Sequence, residues 1–161
     1  DVVATFSASD DVAVASLTPA RTVTGEGRGL TVTGIARDAR GNQAQATLTV
    51  NLDRTPPAIS ASAEPASAGW SRDPVTVTFS EVVTGFVIAD ITATNGTVGN
   101  FAGSGAVYTF DLTPTAQGLV SADIPAGVVQ DAAANGNTIA PTFSRTFDSV
   151  APSVVGRSSS R

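Results

Sequence analysis

The sequence predicts an all-β chain folded as antiparallel sandwiches. Three observations carry this. Apolar and polar residues alternate in short runs, the runs are bounded by Gly, Asn, Asp and Pro, and no long run repeats every 3.6 residues. The first run sets Val2, Ala4 and Phe6 against Val3, Thr5 and Ser7. The next sets Leu30, Val32, Gly34 and Ala36 against Thr31, Thr33, Ile35 and Arg37, and Ala46 to Leu52 continues the habit. Val75, Val77 and Phe79 alternate with Thr76, Thr78 and Ser80, and Val107–Leu112 and Phe143–Phe147 follow. The one helical candidate, Asp131 to Ala134, is a single turn at most. On this pattern Val77, Phe79, Ile91, Tyr108, Phe110, Ile124 and Phe143 form a core, since one face of each strand is buried.

Composition excludes many chemistries. The chain has 161 residues, 9 Arg, 14 Asp plus Glu and a net charge of −5, with no Lys, His, Cys or Met. There is no thiol nucleophile, disulfide or Cys zinc site. There is no imidazole base, His metal ligand, Schiff-base lysine or P-loop lysine. Scattered Arg on an acidic chain argues against nucleic acid, which needs clustered cations. No apolar stretch approaches the ~18 residues of a membrane span, so no membrane insertion is expected. A glycosidase needs two carboxylates about 5–10 Å apart beside sugar-stacking aromatics. One Trp and one Tyr are present, so the chain is read as no enzyme.

An internal repeat gives the organisation. Gly41-Asn42, Asp53 and Pro57 recur as Gly136-Asn137, Asp148 and Pro152, each offset by 95 positions. An acid precedes each Gly-Asn: Asp38 and Asp131. That period fits one immunoglobulin-like sandwich with Greek-key antiparallel sheets. Val3–Ser7 resembles Val75–Ser80, which Ile59–Ala63 precedes as an opening strand. Residues 1–52 are therefore expected to be a partial module lacking its first strand. Residues 53–57 form a stiff Pro linker, and 58–147 a complete module. Residues 148–161 hold a second linker, the start of a further strand and a flexible tail.

These residues resemble tandem bacterial immunoglobulin-like repeats of large surface and adhesin-type proteins. Thr24–Asn42 and Val50–Pro57 are similar to one variety. Val77–Phe86, Ala89–Thr92, Asn95–Val98 and Asp131–Asn137 are similar to a second. The resemblance implies extracellular multi-repeat proteins, on the cell surface or secreted and mostly without enzymatic activity.

Calcium takes six to eight oxygens from carboxylates, amides and carbonyls. In an immunoglobulin topology the loop between the last two strands, the loop after the second strand and the incoming linker meet at one pole. Asp53, Glu81, Asp131 and Asn137 are thus one expected Ca²⁺ site, between modules. Asp10, Asp11, Asp38 and Asn42 are a second. The competing reading has Asp38 and Asp131 holding tight turns while Asp53 caps the linker.

Trp70 either stacks on a sugar or plugs the end of the core, and the second reading is preferred. Asn95-Gly96-Thr97 is formally a glycosylation sequon but reads as a turn with Gly96 at positive φ. Gly103-Ser104-Gly105 reads as a hairpin loop. The expected function is a structural spacer of a bacterial surface or secreted repeat protein. Its partners are neighbouring repeats or chains of the same type, joined head-to-tail if residues 150–155 of one chain fill the open edge before Val2 of the next. The alternative is a carbohydrate-binding accessory module of a secreted hydrolase, with surface carbohydrate as partner.

Overall fold

The computed structural model describes residues 1–65 and 70–157. The chain divides into two compact units, Asp1–Thr55 and Pro56–Arg161. Among the described residues the only helical segment is a single 3₁₀ turn, Ile88–Asp90, and everything else regular is strand. The all-β expectation holds, and no helix is long and apolar enough to cross a membrane.

In the first unit, β1 (Val2–Ala4) pairs antiparallel with β3 (Arg21–Val23). A second sheet runs β2 (Val14–Leu17), β4 (Gly27–Asp38), β5 (Gln43–Leu52), in that order and also antiparallel. The long β4–β5 hairpin pairs Thr-rich rows face to face, and Thr33 and Thr47 exchange a 3.2 Å hydroxyl bond across it. Few apolar side chains are sealed here: Ala4, Val32 and Leu52 are buried, while Val14, Leu17 and Leu48 stay exposed. Phe6 lies flat on Gly34, where a Cβ would stand 2.4 Å from the ring. Only glycine lets β4 approach that closely.

The second unit is a sandwich of two sheets. One sheet has the order β6 (Ile59–Ala63), β7 (Asp73–Phe79), β10 (Val107–Pro114), β9 (Gly96–Ser104). The other is β12 (Phe143–Phe147), β11 (Gly118–Asp123), β8 (Thr92–Thr94). All pairs are antiparallel. Val77 faces Tyr108 and Val75 faces Phe110 across the β7–β10 pair, and all four are buried. Phe79, Phe86, Phe101 and Tyr108 add a ring cluster of mostly edge-to-face contacts. Such pairs contribute about 0.5–1.5 kcal/mol each beyond area burial.

The expected core is buried at Val77, Phe79, Ile91, Tyr108, Phe110 and Ile124. Phe143 is only half-buried, because β12 is an edge strand and its ring packs against the core margin. Residues 131–134 form a tight turn with no helix. Asn95, not Gly96, takes the left-handed conformation, with φ 53°. Its amide donates to the carbonyls of Ala116 (2.9 Å) and Leu119 (3.1 Å). Gly103-Ser104-Gly105 sits at the β9–β10 hairpin, as expected.

The pairing scheme repeats. β1 corresponds to β7, β3 to β10, and β2, β4, β5 to β8, β11, β12. Among the described residues no strand covers the other edge of β1, the place that β6 takes on β7. The segment 148–157 carries no strand, and Val154 and Val155 are 95% and 82% exposed. The last part of the expected flexible tail, 158–161, lies outside the described residues, as does Gly69 beside Trp70.

Candidate metal-binding loops

The acidic loops expected to hold metal are one structure built twice. In the β4–β5 turn, Asp38 Oδ1 accepts from the amides of Arg40 and Asn42, both at 2.8 Å. Its Oδ2 accepts from Asn42 Nδ2 at 2.6 Å. Between β11 and β12, Asp131 Oδ1 accepts from the amides of Ala133 (2.8 Å) and Asn135 (2.9 Å). Its Oδ2 accepts from Asn135 Nδ2 at 2.8 Å. The backbone closes alike. Asp38 N donates to Asn42 O and Asp131 N to Asn135 O, and Gly41 N and Ala134 N donate to the acid's own carbonyl. An Asp carboxylate that gathers successive amides competes with regular structure and fixes a turn.

The partner of Asn42 is therefore Asn135, whereas the Gly-Asn spacing paired Asn42 with Asn137. Asn137 has a different task. It is buried, its Oδ1 accepts from Val129 N at 3.0 Å, and its Nδ2 donates to Pro125 O and Thr138 O. Its amide stitches the approach to β12 onto the stretch after β11. The sequence offered a signal for Asn135: both loops read Asp, three residues, Asn.

Hydrogen bonding sets the electrostatics of both loops. At Asp38 the Asn42 side chain pulls the carboxyl below its ordinary value; burial opposes this, and backbone amides add to the lowering. At Asp131 burial pushes upward, but the Asn135 side chain and the amides of 135, 133 and 134 together outweigh it. Each carboxylate is thus ionised and partly satisfied.

Among the second-unit residues, Glu81 follows β7 and is half-buried, and Asp131 is buried. Each places a carboxylate oxygen within 4.8 Å of the other. Two like charges that close repel one another. Asp53 belongs to the first unit, is exposed, and accepts from Thr55 N at 3.1 Å. In the first unit Asp10, Asp11, Asp38 and Asn42 line one hollow of about 240 Å³. Asp10 there accepts from Ala13 N at 3.3 Å.

A family model for the bacterial Ig-like domain matches residues 53–147. The chain belongs to the bacterial Ig-like domain family. The match takes in the whole β6–β12 sandwich of this Ig-like domain and starts on Asp53. No curated protein and no solved structure matches the chain. Domains of this family are generally non-catalytic structural modules, typically carried by cell-surface or secreted proteins.

The aromatics of the Ig-like domain point the same way. Trp70 is buried, packs edge-on against Phe147 at 5.6 Å, and donates its Nε1 proton to Thr146 O at 3.3 Å. Tyr108 is buried as well. With the single Trp and single Tyr inside, neither is a platform for a sugar ring.

Sequence reasoning missed one charged group altogether. Arg145 stands in the inward row of β12 between Phe143 and Phe147, with Asp73 beside it. A lone Arg in an otherwise apolar alternation was the available signal.

Proposed function

We propose that the chain is a structural spacer of a bacterial cell-surface or secreted repeat protein. The observation that carries this reading is the doubled Asp-x-x-x-Asn loop, bonded alike at Asp38 and Asp131. One unit of construction used twice is what a stalk of repeats requires, and both loops spend their acids on architecture. Small-angle scattering tests it. A tandem fusion of two chains should lengthen the particle by a constant increment. A fusion that collapses to the length of a single chain would refute the reading.

Calcium belongs to this reading as a stiffener. Asp53, the residue on which the family match begins, would join Glu81 and Asp131, with Asn137 building the loop that carries Asp131. Asp10, Asp11, Asp38 and Asn42 form the second candidate. The close Glu81–Asp131 approach and the shared hollow favour these assignments. Calcium at 100 times its dissociation constant should stabilise the folded state by ~2.7 kcal/mol. Asp53→Ala and Asp131→Ala should each remove that gain. A melt indifferent to calcium and chelator rules the metal out.

A second reading concerns assembly. Asp148, Pro152 and Val154 repeat the spacing of Asp53, Pro57 and Ile59, and Ile59 opens the strand that covers β7. The exposed segment 150–155 of a second copy would cover the open edge of β1 in the same way. The contact is heterologous and propagates head-to-tail. Sedimentation should detect oligomers that deletion of 150–161 abolishes. A chain that stays monomeric at high concentration defeats this reading. Carbohydrate binding is disfavoured by the burial of Trp70 and Tyr108.

A further inference from the structure

The first and last strands of the Ig-like domain lie in different sheets and share no backbone ladder. Both run from the same pole. Thr138, ahead of β12, donates its N–H to Pro57 O at 2.9 Å, just before β6. At the opposite pole Arg145 of β12 reaches the end of β6. Its Nη2 donates to Ala63 O at 2.9 Å and also to Glu64 O. Its Nε lies 2.6 Å from Asp73 Oδ2 at the start of β7, a charge contact not aligned as a hydrogen bond. One guanidinium thus ties the middle of β12 to two strand ends, that of β6 and the start of β7. Its Cζ lies 5.7 Å from the centre of the Phe143 ring.

Stability alone is a poor reason to keep this pair. Buried ion pairs carry a desolvation cost that often cancels their attraction, and apolar replacements are frequently neutral or stabilising. Force gives a different reason. A pull on the two ends of the domain enters β6 at the Pro57 pole and β12 at the Phe147 pole, so it shears the two strands past one another. The β6–β7 and β11–β12 ladders resist within each sheet. Between the sheets, Arg145 ties β12 to the end of β6 near the pulled end of β12.

We propose that Arg145 is a tension clamp, which locks the last strand to the first so that the domain bears load as one body. The inference rests on the spacer reading and deepens it. The chain has no natural cysteine, so Thr55→Cys and Ala151→Cys give unique handles for single-molecule pulling of the full chain. Replacing the pair by apolar residues, Arg145→Met with Asp73→Leu, should shorten lifetime under constant load about tenfold or more, as for a lost hydrogen bond to a charged group. Its unloaded denaturation midpoint should hold or rise. Arg145→Lys, which keeps the charge but loses the fork, should also shorten the loaded lifetime and serves if the double variant fails to fold. Arg72→Gln, which removes the 3.1 Å pair between the exposed Arg72 and the half-buried Asp111 and touches neither β6 nor β12, should leave the loaded lifetime unchanged. A loaded lifetime equal to the parent's, or one that falls only as much as the unloaded unfolding rate rises, overturns the clamp. Either outcome leaves the scattering test of the spacer untouched.

Discussion

Gly41 and Ala134 hold the same place in two copies of one loop, and both are left-handed, with φ of 92° and 66°. Each is the residue before the Asn, and each donates its N–H to the carbonyl of the loop's Asp at 3.3 Å. An L-residue in that conformation costs roughly 1–2 kcal/mol, which glycine avoids. Ala134→Gly should therefore stabilise the Ig-like domain by about 1 kcal/mol, and its melting midpoint should rise by about 4–8 °C. Gly41→Ala should destabilise the first unit. Paired thermal melts of the two variants check both signs.

The loops also set how the chain meets acid. Asp38 and Asp131 have depressed carboxyls. Their unfolded forms bind protons first as pH falls, so their stabilisation is present above the ordinary carboxylate value. It is lost as pH drops through the folded values. Asp73 works the other way. Burial raises its carboxyl, the Arg145 charge opposes this, and the net shift is upward. It costs stability as pH rises from the ordinary value through the raised one. Melts recorded below about pH 4 should fall less steeply for Asp131→Asn than for the parent. Asp73→Asn should leave the acid-side fall in place and relieve the cost above it.

Phe110 is 2% exposed between Val75 and the facing sheet. Phe110→Ala should cost about 3–5 kcal/mol through lost transfer energy and a residual cavity. Urea unfolding gives the value, and a loss below 1 kcal/mol would mean that the site collapses freely.

At Gly34, a Cβ would stand 2.4 Å from the Phe6 ring. Gly34→Ala should destabilise the first unit by about 1–3 kcal/mol, the usual result of overpacking. Phe6→Ala in the same chain should recover part of that loss by removing the ring the methyl strikes. A double-mutant cycle that is purely additive would show that the two residues do not meet.

Central strands were legible where burial acts on one face. Val75, Val77 and Phe79 read directly because β7 has a partner on each side and a core below. The strand β9 was not legible, because Gly96, Gly99 and Gly103 interrupt any alternation and the strand lies at an edge. Phe143 was placed too deep for a similar reason: periodicity reports which face is apolar, not how far that face is covered. Among the loops, the Gly-Asn dipeptide drew the repeat onto Asn137, whereas bonding pairs Asn42 with Asn135. The carboxylate needs an amide four residues on, and a dipeptide match carries no information about that reach. Arg145 went unread because alternation reasoning counts apolar positions and passes over the charge among them.

The burial of Trp70 has an optical consequence. The lone indole and the lone phenol, Trp70 and Tyr108, both lie in the Ig-like domain, and the only aromatic ring in the first unit is Phe6. Tryptophan emission is therefore blind to the first unit. Far-ultraviolet dichroism sees both, so recording the two signals in one titration separates the melting of each unit without any added dye.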